Sequence, residues 1–123
     1  MSDNFGYSVS LSGTSALIGA PFDNTSASLT GSAYLFDTTT GNLLQTFNNP
    51  TPEYYDNFGN SVSLSGISAL IGAPFDNTSA TDAGSAYLYQ TVPEPSFTIL
   101  GTGVVLGALP VLKKGKKTKD KDA

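Results

Sequence analysis

Along residues 8–11 polar and apolar side chains alternate, placing Val9 and Leu11 on one face, the period-2 pattern of a half-buried strand. A second apolar run, Ala16-Leu17-Ile18, ends at Gly19-Ala20-Pro21. Ser12-Gly13-Thr14-Ser15 between the two has the length and the glycine of a tight hairpin. After a polar loop from Asp23 to Thr30, the pattern predicts a third strand over Ser32–Phe36. A turn follows over Asp37–Asn42, then a fourth strand over Leu43–Phe47. The first 47 residues therefore read as four short strands joined by turns.

Residues 3–27 return almost letter for letter at 56–80, and extending the match to 3–37 against 56–90 leaves differences at only seven of 35 places. The differing pairs are Tyr7/Asn60, Thr14/Ile67, Ser28/Thr81, Leu29/Asp82, Thr30/Ala83, Phe36/Tyr89 and Asp37/Gln90. A repeat of this length with several short strands per unit cannot bury its own apolar face and must stack on a neighbour, as in solenoids and propellers. The second unit repeats three strands and then reads QTVPEP where the first continues into LLQTF, so the expected body is two adjacent antiparallel sheets of four and three strands. The linker NNPTPEYYD, residues 48–56, joins them. The organisation is thus unit 1 with its linker over 1–55, a truncated unit 2 over 56–91, and a distinct segment over 92–123. The glycines read as turn and close-packing positions, and Phe5, Phe22, Tyr34 and Phe36 as core and inter-blade packing.

Charge is fully segregated. All six basic residues are lysines, Lys113, Lys114, Lys116, Lys117, Lys119 and Lys121, while the residues before them hold eight carboxylates and no positive charge. An acidic body of this kind cannot bind nucleic acid by neutralising phosphates. There is no Cys, His or Arg, which removes disulfides, thiolate metal sites and the usual nucleophile–base pairs. The only catalytic chemistry left open is a carboxylate pair, as in glycoside hydrolysis, and Glu53 and Asp56 lie in a linker. No catalytic residue, metal or cofactor is expected. Asp23-Asn24 and Asp76-Asn77 read as turn caps rather than cation ligands. Asn24-Thr25-Ser26 and Asn77-Thr78-Ser79 fit the N-glycosylation pattern by coincidence within a polar loop.

Residues 97–112 carry no charge. As a helix they would reach roughly 24 Å, short of the roughly 30 Å hydrocarbon core, but the stems of Lys113 and Lys114 can extend the span. A buried strand or a core helix is the other reading of this run. The lysine block that follows favours a single C-terminal transmembrane helix with a cytoplasmic basic tail over 113–123.

Phe5-Gly6 with Gly19-Ala20-Pro21, and Phe58-Gly59 with Gly72-Ala73-Pro74, resemble the FG-GAP repeat, the blade unit of integrin-alpha-type β-propellers. The resemblance implies an all-β fold, here an incomplete propeller, displayed outside the cell for adhesion or other protein and glycan contacts. Many family members carry a calcium loop between the two motifs. Ser12–Ser15 and Ser65–Ser68 stand there instead and offer no carboxylate, so no calcium dependence is expected. Val92-Pro93-Glu94-Pro95, the apolar run and the lysine cluster together resemble a PEP-CTERM sorting signal. That resemblance implies a bacterial exported protein processed by an exosortase-type membrane protease and held in the envelope until its tail is cut. It also implies a signal peptide that MSDNFGYSV does not supply, so the chain is read as the C-terminal part of a longer protein or one with a miscalled start.

The expected function is a non-catalytic binding or adhesion module at the cell surface, with an unidentified protein or glycan ligand. The alternatives are a structural matrix component or a non-functional gene fragment. With two units of a ring that needs four to eight blades, the uncovered faces and edges are expected to promote self-association.

Overall fold

The computed structural model of the protein describes residues 2–24 and 29–91, together with the backbone course of 108–113. The first unit forms β1 (Ser8–Ser12), β2 (Ser15–Ala20), β3 (Ser32–Asp37) and β4 (Leu43–Asn48), hydrogen-bonded in sequence order as an antiparallel meander. The second forms β5 (Ser61–Ser65), β6 (Ser68–Ala73) and β7 (Ser85–Gln90) in the same order. Equivalent pairs keep the same register at an offset of 53. Ser8 faces Gly19 as Ser61 faces Gly72, and Tyr34 faces Ile18 as Tyr87 faces Ile71.

The two-residue hairpins follow from local chemistry. Gly13 at φ +57 and Gly66 at φ +56 occupy the first central position, while Thr14 and Ile67 keep negative φ, the pattern of a type II′ turn that matches strand twist. Asn4 and Asn57 take the left-handed conformation before each Phe-Gly, which asparagine tolerates better than most residues. The turn closes through Tyr7 N–H donating to Asn4 O and Asn60 N–H donating to Asn57 O, each at 3.0 Å.

The expected sheets of four and three strands are present, and the backbone of a further strand, β8 (Ala108–Lys113), runs antiparallel to β7 at the open edge of the second. It takes the place of β4. Ala86 faces Leu112 as Ala33 faces Phe47, and Ser85 faces Lys113 as Ser32 faces Asn48. The outer edge of β7 carries backbone groups that need partners, and an uncharged apolar run can supply them. Pro110 has no N–H to give. It falls where the β7–β8 register shifts between Tyr87 and Tyr89, on an edge strand, where proline is tolerated. Apart from this backbone at 108–113, the segment expected to form a C-terminal helix lies outside the described residues, as does the Val92–Pro95 motif. Among the described residues no helix is long and apolar enough to cross a membrane.

The core lies between the sheets, and the two sheets bury opposite faces. In the first, Leu17, Ala33, Leu35 and Phe47 point inward. In the second it is the alternate set, Leu64, Ala69, Ile71, Tyr87 and Tyr89. The front of sheet one thus packs on the back of sheet two, and Phe47 meets Tyr89 across the joint with ring centroids 4.9 Å apart.

Candidate functional site: the junction of Phe-Gly with Gly-Ala-Pro

Five of the ten repeat-defining residues, Gly19, Ala20, Pro21, Phe58 and Gly59, meet at the seam between units, and the other five hold the equivalent positions on the outer faces. Phe58 and Gly59 precede β5 and seat in a socket on unit 1. Phe58 is fully enclosed and its ring lies 5.5 Å from that of Tyr87. Its N–H donates to Thr30 O at 2.9 Å, and the Ser8 hydroxyl donates to Gly59 O at 2.8 Å.

The socket is shaped by absent side chains. A Cβ on Gly19 would lie 2.0 Å from Gly59 O, and a Cβ on Gly31 would lie 2.0 Å from Phe58 O, approaches no side chain survives. Gly59 itself, at φ +95, would put a Cβ 2.4 Å from Ser32 O. These three glycines are required by backbone-to-backbone contact between units, beyond any local turn. Below the plug, hydroxyls on the inner face of β1 bond the backbone of unit 2. Leu64 N–H donates to Ser10 Oγ at 3.0 Å and Gly66 N–H to Ser12 Oγ at 2.9 Å. Inter-strand serines therefore take the donor and acceptor positions that the outer edge of β5 presents.

The first copy of each motif shows the same local geometry without the neighbour. Phe5 is 55 % exposed and Gly6 is exposed, whereas Phe58 and Gly59 are buried. Conversely Gly19, Ala20 and Pro21 are buried, while Pro74 is exposed and Gly72 half-buried. Of Phe5, Phe22, Tyr34 and Phe36, expected to pack inside the molecule, Phe5 is exposed and the other three are half-buried, whereas the counterparts Phe58, Tyr87 and Tyr89 are buried. Phe75, like Phe5, stays about half exposed.

A second constellation pins the loops. The Tyr87 hydroxyl donates to Asp76 Oδ2, and Asp76 Oδ1 accepts from Thr78 N–H at 2.7 Å and from the Thr78 hydroxyl. The same tyrosine–aspartate pair recurs in unit 1 as Tyr34 donating to Asp23. Asn24 and Asn77 cap the same loops, accepting from Leu29 N–H and Asp82 N–H. The turn-cap reading of both Asp-Asn pairs is what the hydrogen bonds display.

Asp56, which sequence reasoning left in the linker, is fully buried. Its Oδ2 accepts from Asn49 Nδ2 at 2.7 Å and from Glu53 N–H at 2.9 Å, while Oδ1 has no partner. Burial, with the nearby charges of Asp76 and Glu53, holds its carboxyl above the usual range. For Asp76 burial also pushes upward, but the hydrogen bonds from Thr78 and Tyr87 together outweigh it and bring the carboxyl below its ordinary value. Carboxylates displaced in opposite directions are a common acid–base signature. Here both are sealed, at 0 % and 1 % exposure, with the Asp76 oxygens and Asp56 Oδ2 bonded within linker and loop and out of reach of a substrate. Among the described residues no group of three acidic side chains is placed to hold a metal ion. Val92–Pro95, expected to be a sorting motif, and the lysines beyond Lys113 lie outside the described residues, and Lys113 is the last residue of β8.

The class defined by this joint is a β-propeller-like blade array. The model of the FG-GAP repeat matches the chain twice, over residues 1–36 and 52–89, and the chain belongs to that family. FG-GAP repeats build propeller-like modules and are typically extracellular. Among curated proteins none matches the chain in sequence.

Proposed function

We propose that this chain is a non-catalytic binding module of the cell envelope, built of FG-GAP blades and sorted by its C-terminal segment. The observation that carries the reading is the repeat itself. Twenty-eight of 35 positions recur between the units, and the recurring motif residues are used to join blades rather than to assemble a reactive cleft. The acid–base inventory agrees, with no His, Cys or Arg and with Asp56 and Asp76 enclosed. The ligand is a protein or glycan met on the exposed loops and faces.

The export part of the proposal rests on the tail: Val92-Pro93-Glu94-Pro95, an uncharged run and six lysines. Each lysine at a bilayer centre costs about 2.5 to 3.5 kcal/mol on insertion scales, so the basic end resists translocation and stays cytoplasmic while Glu94 faces outward to a sorting protease. Membrane insertion and β8 exclude one another, since 108–112 cannot serve both. A span over 97–112 withdraws β8 from β7 and leaves a three-stranded second sheet, and cleavage near Pro93-Glu94-Pro95 makes this permanent by removing 108–113. Topology reporters fused after Ala123, in a chain supplied with a signal peptide, test this. A cytoplasmic C-terminus that inverts when the six lysines become glutamate is expected, and an extracytoplasmic C-terminus in the parent sequence contradicts it.

A further inference from the structure

The internal joint shows what each exposed blade face is shaped to receive. On unit 2, a groove of about 410 Å³ opens between Gly72–Pro74 and Ala83–Ala86. At the offset of 53 its lining corresponds to Gly19–Pro21 and Thr30–Ala33, the socket that Phe58-Gly59 fills on unit 1. A Cβ on Gly72 would meet only Ser61 of its own sheet, where one on Gly19 would strike Gly59 of the next. Beside the groove, Ser61, Ser63 and Ser65 are exposed. Their counterparts Ser8, Ser10 and Ser12 bond Gly59 O, Leu64 N and Gly66 N.

The matching plug stands at the other end of the chain. Phe5-Gly6 is exposed, and with it Val9 at 66 % and Leu11 at 72 %, the counterparts of half-buried Val62 and buried Leu64. Face and groove are therefore the two halves of a joint the molecule already makes once, with the same motif and serine residues at the contact positions, Ala83 standing for Thr30 and Phe36 for Tyr89.

We infer that the chain docks head-to-tail on a second copy of itself, Phe5-Gly6 of one copy seating in the Gly72–Pro74 and Ala83–Ala86 groove of the next. The bonds of the internal joint are repeated at this offset: Ser61 Oγ to Gly6 O, Leu11 N–H to Ser63 Oγ, and Gly13 N–H to Ser65 Oγ. The interface is heterologous, so growth ends only when a ring closes. The inference stands on blade geometry and is independent of where the tail is placed.

The absence of cysteine gives a clean test. Two full-length single-cysteine variants, Ser63→Cys and Leu11→Cys, are mixed in equal amounts and oxidised, and the disulfide dimers are counted by mass spectrometry. Ser63 and Leu11 correspond to Ser10 and Leu64, which touch across the internal joint. Head-to-tail docking predicts that mixed Ser63→Cys/Leu11→Cys dimers dominate well beyond the half expected of random pairing, and that adding Phe5→Ala to the Leu11→Cys chain lowers their yield several-fold. Random or like-with-like pairing, or a parent chain that sediments as a monomer at every concentration, overturns the inference.

Discussion

Asp56 and Asp76 show how two identical side chains a few residues from the same seam take opposite roles. Asp76 has donors for both oxygens, so its ionised form is favoured in the fold; its contribution is present above about pH 3.9, the unfolded value, and is lost as pH falls through the lower folded value. Asp56 has one oxygen without a partner and a folded value held up by burial. Between about pH 3.9 and that raised value the folded state binds the extra proton, so stability falls as pH rises through this window. Asp56→Asn is accordingly expected to leave stability at pH 7 equal to or above that of the parent, with a smaller gain on acidification. Asp76→Asn is expected to lose about 1–3 kcal/mol at pH 7. Urea unfolding at pH 5 and pH 7 checks both, and an Asp56→Asn loss as large as that of Asp76→Asn contradicts the assignment. The repeat alone could not reveal Asp56, because its twin Asp3 is exposed. What differs is the preceding linker, where Asn49 and Glu53 fold back over the carboxylate.

At the scale of elements, the alternation of serine with Val and Leu in β1 and β5 was legible as strand, and its offset copy as a second blade. Which face is buried was not legible, because β1 and β5 share the sequence SVSLS yet bury opposite faces. Burial here is decided by position in the array. The serine row gives a direct measure: Ser10→Ala removes the acceptor of Leu64 N–H and should cost about 1 kcal/mol, whereas Ser63→Ala in monomeric protein should fall within about 0.5 kcal/mol of the parent. Equal losses in chemical denaturation would contradict the one-sided seam. The strand β8 was hidden for a different reason. An uncharged run ahead of lysines satisfies both a membrane span and a sheet edge, and periodicity cannot separate them, since a fully apolar segment has none. The register of β8 against β7, matching that of β4 against β3, is a tertiary fact.

For the molecule as a whole, the Phe-Gly and Gly-Ala-Pro motifs were legible as the repeat's signature, but their partnership across units was not, because each is read within one unit and acts between two. The glycines carry the reason: Gly19, Gly31 and Gly59 admit backbone against backbone, which only Cβ-free positions allow. If this joint holds the two blades as one body, Phe58 is its central side chain, and Phe5 is the same residue with only Tyr34 and Phe36 of its own unit beside it. The decisive measurement is equilibrium unfolding of Phe58→Ala and Phe5→Ala side by side, at a dilution where sedimentation shows monomer. The account predicts a loss of about 3–5 kcal/mol for Phe58→Ala and less than about 1 kcal/mol for Phe5→Ala. Equal effects, or a larger one at Phe5, would contradict it.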